Sequence, residues 1–152
     1  MNEMKYRRKG GFLITKIHQL TSRIFSDLLQ KYDISELDSS KGRIMFALWK
    51  KDKRPIYELV EETQLSKSTI TAMLDKLEES GFIERRPSKQ DRREVLIYLT
   101  LKDKSMQSKY IEVSKEMTNI FYQQFMEHEI DEFEEMLSRI LENLKKYEEN
   151  NH

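Results

Sequence analysis

LSKSTITAMLDKLEESGFIERRPSKQDRREVLIYLT, residues 65–100, changes its hydrophobic period part-way along. Up to Gly81 the apolar residues Ile70, Met73, Leu74 and Leu77 recur at helical spacing. Ser66 ahead of them is a good N-cap, and Gly81 behind them offers the left-handed conformation that ends a helix. After Gly81 the period falls towards two. Phe82, Ile83 and the arginines that follow read as one short strand. Val95, Ile97 and Leu99 alternate with Glu94, Tyr98 and Thr100 as a second, with Leu96 out of pattern. PSKQD between them has the Pro, Ser and Asp of a hairpin tip.

The residues just upstream complete a motif. Pro55 suits the first turn of a short helix whose buried face is Ile56, Leu59 and Val60. Glu62, Thr63 and Gln64 then make a polar turn into the helix at 66–80. Two short helices across a tight turn are a helix-turn-helix candidate, and a hairpin directly behind them makes it a winged helix. Further out, residues 11–32 carry Leu13, Ile17, Leu20, Ile24 and Leu28 on one helical stripe, widened by Phe12 and Phe25. A second helix spans 38–50, capped by Asp38, Ser39 or Ser40, with Ile44, Met45, Leu48 and Trp49 on its apolar face. Lys50 to Arg54 reads as a loop. Residues 101–126 return to helix, with Phe125 on its apolar side. A last helix covers 130–147, where Ile130, Phe133, Leu137, Ile140, Leu144 and Tyr147 keep the 3-4-3-4-3 spacing of a helix seam. The fold class is mainly α: a winged helix-turn-helix with a two-stranded β-hairpin wing, flanked by terminal helices.

With 4 Gly and 2 Pro in 152 residues, long helices with short connections are favoured over a many-stranded sheet. No apolar run is long enough to span a membrane, and Lys16, His18 and Gln19 interrupt the only stretch resembling a leader, so the chain reads as cytoplasmic. It has no cysteine, which removes disulfides and thiolate sites. His18, His128 and His152 are far apart and HExxH is absent, so no metal or other cofactor is expected. No glycine-rich phosphate loop and no nucleophile–base–acid set is present, so an enzyme is not expected. The 27 basic and 27 acidic residues cancel, but not locally. Residues 85–93 hold five cations and one anion, while residues 127–149 hold nine anions and three cations.

That distribution points to a duplex partner. Opposite its buried face, the helix at 66–80 presents Ser68, Thr71, Ala72 and Asp75, with Lys76 at the edge. Small hydroxylated side chains let a helix lie deep in a major groove. Its N-terminal turn, with Ser66, Lys67 and Thr69, offers free N–H groups to a phosphate. At the hairpin tip Lys89, Arg92 and Arg93 reach a minor groove or its phosphates. Asp91 does not fit a cationic patch and is expected to brace an arginine of the same hairpin: Arg85, Arg86 or Arg93.

The same segment resembles the recognition helix and wing of MarR-type transcriptional regulators, most specifically over residues 56–100. Asp91, Arg93, Leu99 and Thr100 fit the family's wing signature of D-x-R, five residues, then L-T. Leu101, Lys102 and Asp103 depart from the acidic residue, Lys and Gly often found next. The resemblance implies a homodimer on pseudo-palindromic DNA, with the helix before the wing in the major groove and the wing, 85–97, in the minor groove. It implies dimerisation through the first and last helices. The apolar stripes support this separately, since a winged helix of about 60 residues cannot bury them all. The residues assigned there are Leu13, Ile17, Ile130, Phe133, Leu137, Ile140 and Leu144. The expected division is 1–34 and 101–152 for dimerisation and 35–100 for DNA. The resemblance also implies a small aromatic or anionic effector in a crevice lined by His18, Phe46, Trp49 and Tyr110. Peroxide sensing, which uses a cysteine in such relatives, is excluded. The expected function is a ligand-responsive repressor; the alternative is a winged helix kept for protein contacts without sequence-specific DNA binding.

Overall fold

The computed structural model describes residues 8–100 and 104–151; Leu101, Lys102 and Asp103 lie outside them. The elements in chain order are α1 (Gly10–Lys31), α2 (Ser39–Lys50), β1 (Arg54–Pro55), α3 (Ile56–Thr63), α4 (Lys67–Glu79), β2 (Ile83–Pro87), β3 (Val95–Leu99), α5 (Lys104–Phe121) and α6 (Glu127–Asn150). The described residues up to Met117 make one compact unit and those from Thr118 another.

The first unit is built around one core. Leu29, Ile34, Leu37, Ile44, Met45, Leu48, Leu59, Ile70, Leu74, Leu77, Phe82 and Ile97 are each at most 2% exposed. Each such burial is worth ~1.5–3 kcal/mol before the entropy of ordering is subtracted. Asp38 caps α2, its Oδ1 accepting the N–H of Lys41 at 3.2 Å. The stripe on α1 divides: Leu28 and Leu29 join the core and Ile24 and Phe25 pack against it, while Phe12, Leu13, Ile14, Ile17 and Leu20 stay exposed. From α5, Tyr110 and Val113 enter the same core.

The sheet has three strands, not two, in the order β1-β3-β2. Arg54 pairs with Ile97 and Pro55 with Leu96, both antiparallel. A two-residue strand containing proline shows no alternation, so the segment reads as loop in sequence. Pro55 is accordingly extended (φ −70°, ψ 157°) and precedes α3 as its N-cap instead of lying in its first turn. Arg54 fixes the junction. Its Nε donates to Glu58 at 3.0 Å and its Nη1 to the Ala47 carbonyl at 3.2 Å, with Glu62 also in contact. On β3 only Ile97 is fully buried; Val95 is exposed.

Three helix boundaries also move. Glu62 and Thr63 belong to α3, where the Thr63 hydroxyl donates to the Leu59 carbonyl at 2.6 Å. The turn starts at Gln64, which is left-handed (φ 59°). The helix expected over 101–126 stops at Phe121, and Phe125 lies beyond it. Gln124 is left-handed (φ 68°), and the Glu129 carboxylate accepts the Met126 N–H at 2.9 Å to start α6 three residues earlier than its seam begins. In this second unit Phe121, Phe125 and Phe133 stand edge-on around Tyr122 at 4.9, 6.0 and 6.2 Å. The Tyr122 hydroxyl donates to Glu134 at 2.8 Å. No residue of α6 is fully buried.

Candidate nucleic-acid interface

The helix that would enter a groove is held at both ends by local chemistry. Ser66 Oγ accepts the Thr69 N–H at 3.1 Å and donates to Thr69 Oγ1 at 2.8 Å. At the other end the N–H of Gly81 (φ 83°) reaches the Glu78 carbonyl at 3.0 Å and that of Phe82 reaches Leu77 at 2.9 Å. These are the two bonds of a Schellman motif. Ile70, Leu74 and Leu77 anchor α4 from below. Ser66, Lys67, Ser68, Thr71, Ala72 and Lys76 are exposed, and Thr69 is half-buried in the cap.

The wing turn is equally well determined. Ser88, buried, accepts the N–H groups of Gln90 and Asp91 on its Oγ at 3.2 and 3.4 Å. Its own N–H reaches the Glu94 carbonyl at 2.8 Å. Asp91 Oδ1 accepts the backbone N–H of Arg93 at 3.0 Å and its Nε at 3.4 Å. Of the three candidate arginines it is therefore Arg93 that Asp91 holds. The Arg93 side chain remains 94% exposed. Lys89 and Arg92 are exposed too. Arg86 Nε donates to Glu84 at 3.0 Å, and the Arg86 guanidinium lies 4.8 Å over the Tyr98 ring.

Arg85 pairs elsewhere. Its Nη1 lies 2.8 Å from Asp75 and 3.3 Å from Glu78, both on α4. The sequence pattern gives no sign of this, because the partners lie across the helix end. Two further anchors are also illegible there. Asp52 Oδ1 accepts the N–H groups of Lys53 and Leu99 at 2.7 and 2.9 Å. Thr100 Oγ1 donates to the Gly81 carbonyl at 2.5 Å. The D-x-R and L-T ends of the wing signature thus do separate work: one shapes the tip, the other ties the end of β3 to the end of α4.

Residues 37–95 match the MarR family model. Over that segment the chain is similar to the MarR family. It is 29% identical over 115 residues to the HTH-type transcriptional repressor YetL of Bacillus subtilis, a match covering 74% of this chain and 69% of YetL. BldR from Sulfolobus solfataricus superimposes with a TM-score of 0.77 at 25% identity, over 94% of this chain and 99% of that one. A mutant MarR from E. coli, solved with operator DNA, superimposes with a TM-score of 0.76 at 23% identity, over 86% and 92% of the two chains; that likeness is one of fold. YetL is a transcriptional repressor and BldR a transcriptional regulator, and none of the described helices is long and apolar enough to cross a membrane.

The four residues assigned to an effector are placed unequally. Trp49 and Tyr110 meet edge-to-face at 5.4 Å, with Phe25 on the other side of Tyr110 at 5.7 Å. The Tyr110 ring covers Gly42, where a Cβ would collide with it. Burial pushes the Tyr110 hydroxyl up to about 12. Phe46 is exposed beneath Lys50, and His18 is exposed on α1. Among the described residues no group of three or more His, Asp or Glu could hold a metal ion. Of the residues assigned to dimerisation, Leu13, Ile17, Ile140 and Leu144 are exposed, while Ile130, Phe133 and Leu137 are half-buried.

Proposed function

We propose that this chain is a homodimeric, DNA-binding repressor that works in the cytoplasm and binds a pseudo-palindromic operator. The observation that carries the reading is the pairing of a capped helix bearing an exposed, small, hydroxylated face with a rigid turn that projects Arg93 into solvent. Ser66, Lys67, Ser68, Thr69, Thr71, Ala72 and Lys76 supply the major-groove surface, and Lys89, Arg92 and Arg93 supply the minor groove and its phosphates. Residues 35–100 carry this work. Residues 1–34 and 101–152 dimerise, so two recognition helices meet half-sites about one helical turn apart. The exposed apolar faces of α1 and α6 support that pairing.

A small aromatic or anionic effector is assigned to the surface of Phe46, Trp49 and Tyr110 with His18; a rise in melting temperature with one of a panel of benzoates tests it. The DNA reading is tested by gel shifts across a salt series, using the DNA upstream of the chain's own gene and a random duplex. Preference for the former is expected. Equal, weak binding to both sinks the reading and leaves a winged helix that meets proteins.

A further inference from the structure

Ser68, Thr71, Ala72 and Asp75 follow one another along the exposed side of α4. Three of them suit a groove. Asp75 is an anion on a surface assigned to a polyanion, and Glu78 stands one turn of spacing beyond it. Unmasked, this pair would repel the duplex along the C-terminal half of the helix that must enter it.

Arg85 meets both acids. Besides the two Nη1 contacts, the second oxygen of Glu78 accepts the backbone N–H of Arg85 at 3.2 Å. The Arg85 side chain is 26% exposed, against 57% for Asp75 and 42% for Glu78. The guanidinium therefore lies lower than the carboxylates it binds, unlike Arg93, which is braced by Asp91 and fully exposed at the tip. A cation so placed is poorly set to reach a phosphate and well set to draw two carboxylates down onto β2.

We propose that Arg85 is a positioning residue for DNA binding: it neutralises and holds Asp75 and Glu78 so that the C-terminal half of α4 can approach the duplex, without itself touching DNA. This rests on the DNA-binding reading above. It separates the basic cluster at 85–93 into a masking arginine at its base and contacting cations at its tip.

The test is a mutant cycle, read by fluorescence anisotropy on a duplex that the wild-type protein selects from a random library. Arg85→Ala should weaken binding about tenfold or more. Asp75→Asn with Glu78→Gln keeps acceptors at both positions and should change affinity by less than about threefold in the wild-type background, where the acids are already masked. The same pair of changes combined with Arg85→Ala should recover most of the loss. An equal gain in both backgrounds means no coupling and overturns the proposal, as does full affinity in Arg85→Ala. A change of preferred base at one position with Asp75→Asn alone also overturns it, because Asp75 would then read the duplex. Arg85→Met, which keeps the aliphatic stem, and the melting temperature of each variant separate masking from misfolding. A wild-type protein that selects no sequence brings down the DNA-binding reading and this proposal together; selection without coupling brings down only this one.

Discussion

Ser66 shows how much one side chain can decide. Its Oγ takes the Thr69 N–H that α4 would otherwise leave open. Ser66→Ala should cost ~1 kcal/mol, read as a lower midpoint in thermal or urea unfolding. At the wing tip, the Asp91 carboxylate accepts from Arg93 twice, from its backbone and from its side chain. Asp91→Ala should lower DNA affinity, and Asp91→Asn, which retains an acceptor, should restore most of it. Arg92→Ala with Arg93→Ala should reduce the slope of log K against log salt by about 0.9 for each phosphate no longer neutralised. Tyr110 and Tyr122 give a pH-dependent prediction. Burial first, and for Tyr122 the hydrogen bond to Glu134 second, lifts both hydroxyls to about 12. A raised folded pKa means the fold favours neutral tyrosine. That contribution is complete below the ordinary value of about 10 and is lost as pH rises through 12. Alkaline unfolding should begin in that window and shift in Tyr110→Phe.

At the scale of elements, the Schellman end of α4 is the joint on which the wing is mounted. Gly81 needs its left-handed φ of 83°. Gly81→Ala should cost ~1–2 kcal/mol and weaken DNA binding by displacing β2 as well as by destabilising the fold. Such elements are legible because their signals are local: Ser66 and Gly81 bracket the period of α4, and PSKQD stands between two strand patterns. What escapes has no local signal. β1 is two residues long and makes sense only when β3 lies beside it. The break after Phe121 uses a left-handed Gln124 where glycine would have announced it. Arg85 reads as one more cation of the wing until α4 is folded over it and offers Asp75 and Glu78. The hairpin's charges are plain in the sequence, but their division into braced, masked and free needs the folded partners.

The whole molecule leaves apolar surface open on α1 and α6, with Ile17 41% and Leu144 62% exposed. Leu144→Glu is the cleaner probe of a dimer than Leu137→Glu, because Leu137 is half-buried and also serves its own unit. Sedimentation velocity should show Leu144→Glu as a monomer with an unchanged circular dichroism spectrum and little DNA affinity. If the dimer persists, the seam lies elsewhere. The construction of the small sheet discourages assembly through its strands. Its two edges are β1 and β2, and each ends in proline, Pro55 and Pro87, beside arginines. Strand edges recruit foreign strands when they are long, flat and rich in free N–H groups. One edge here is too short to template anything, and the other is charged and closed by a residue with no N–H to offer. Concentrated protein should therefore stop at a finite complex and give no amyloid-type fibres, even where its apolar helices remain unpaired.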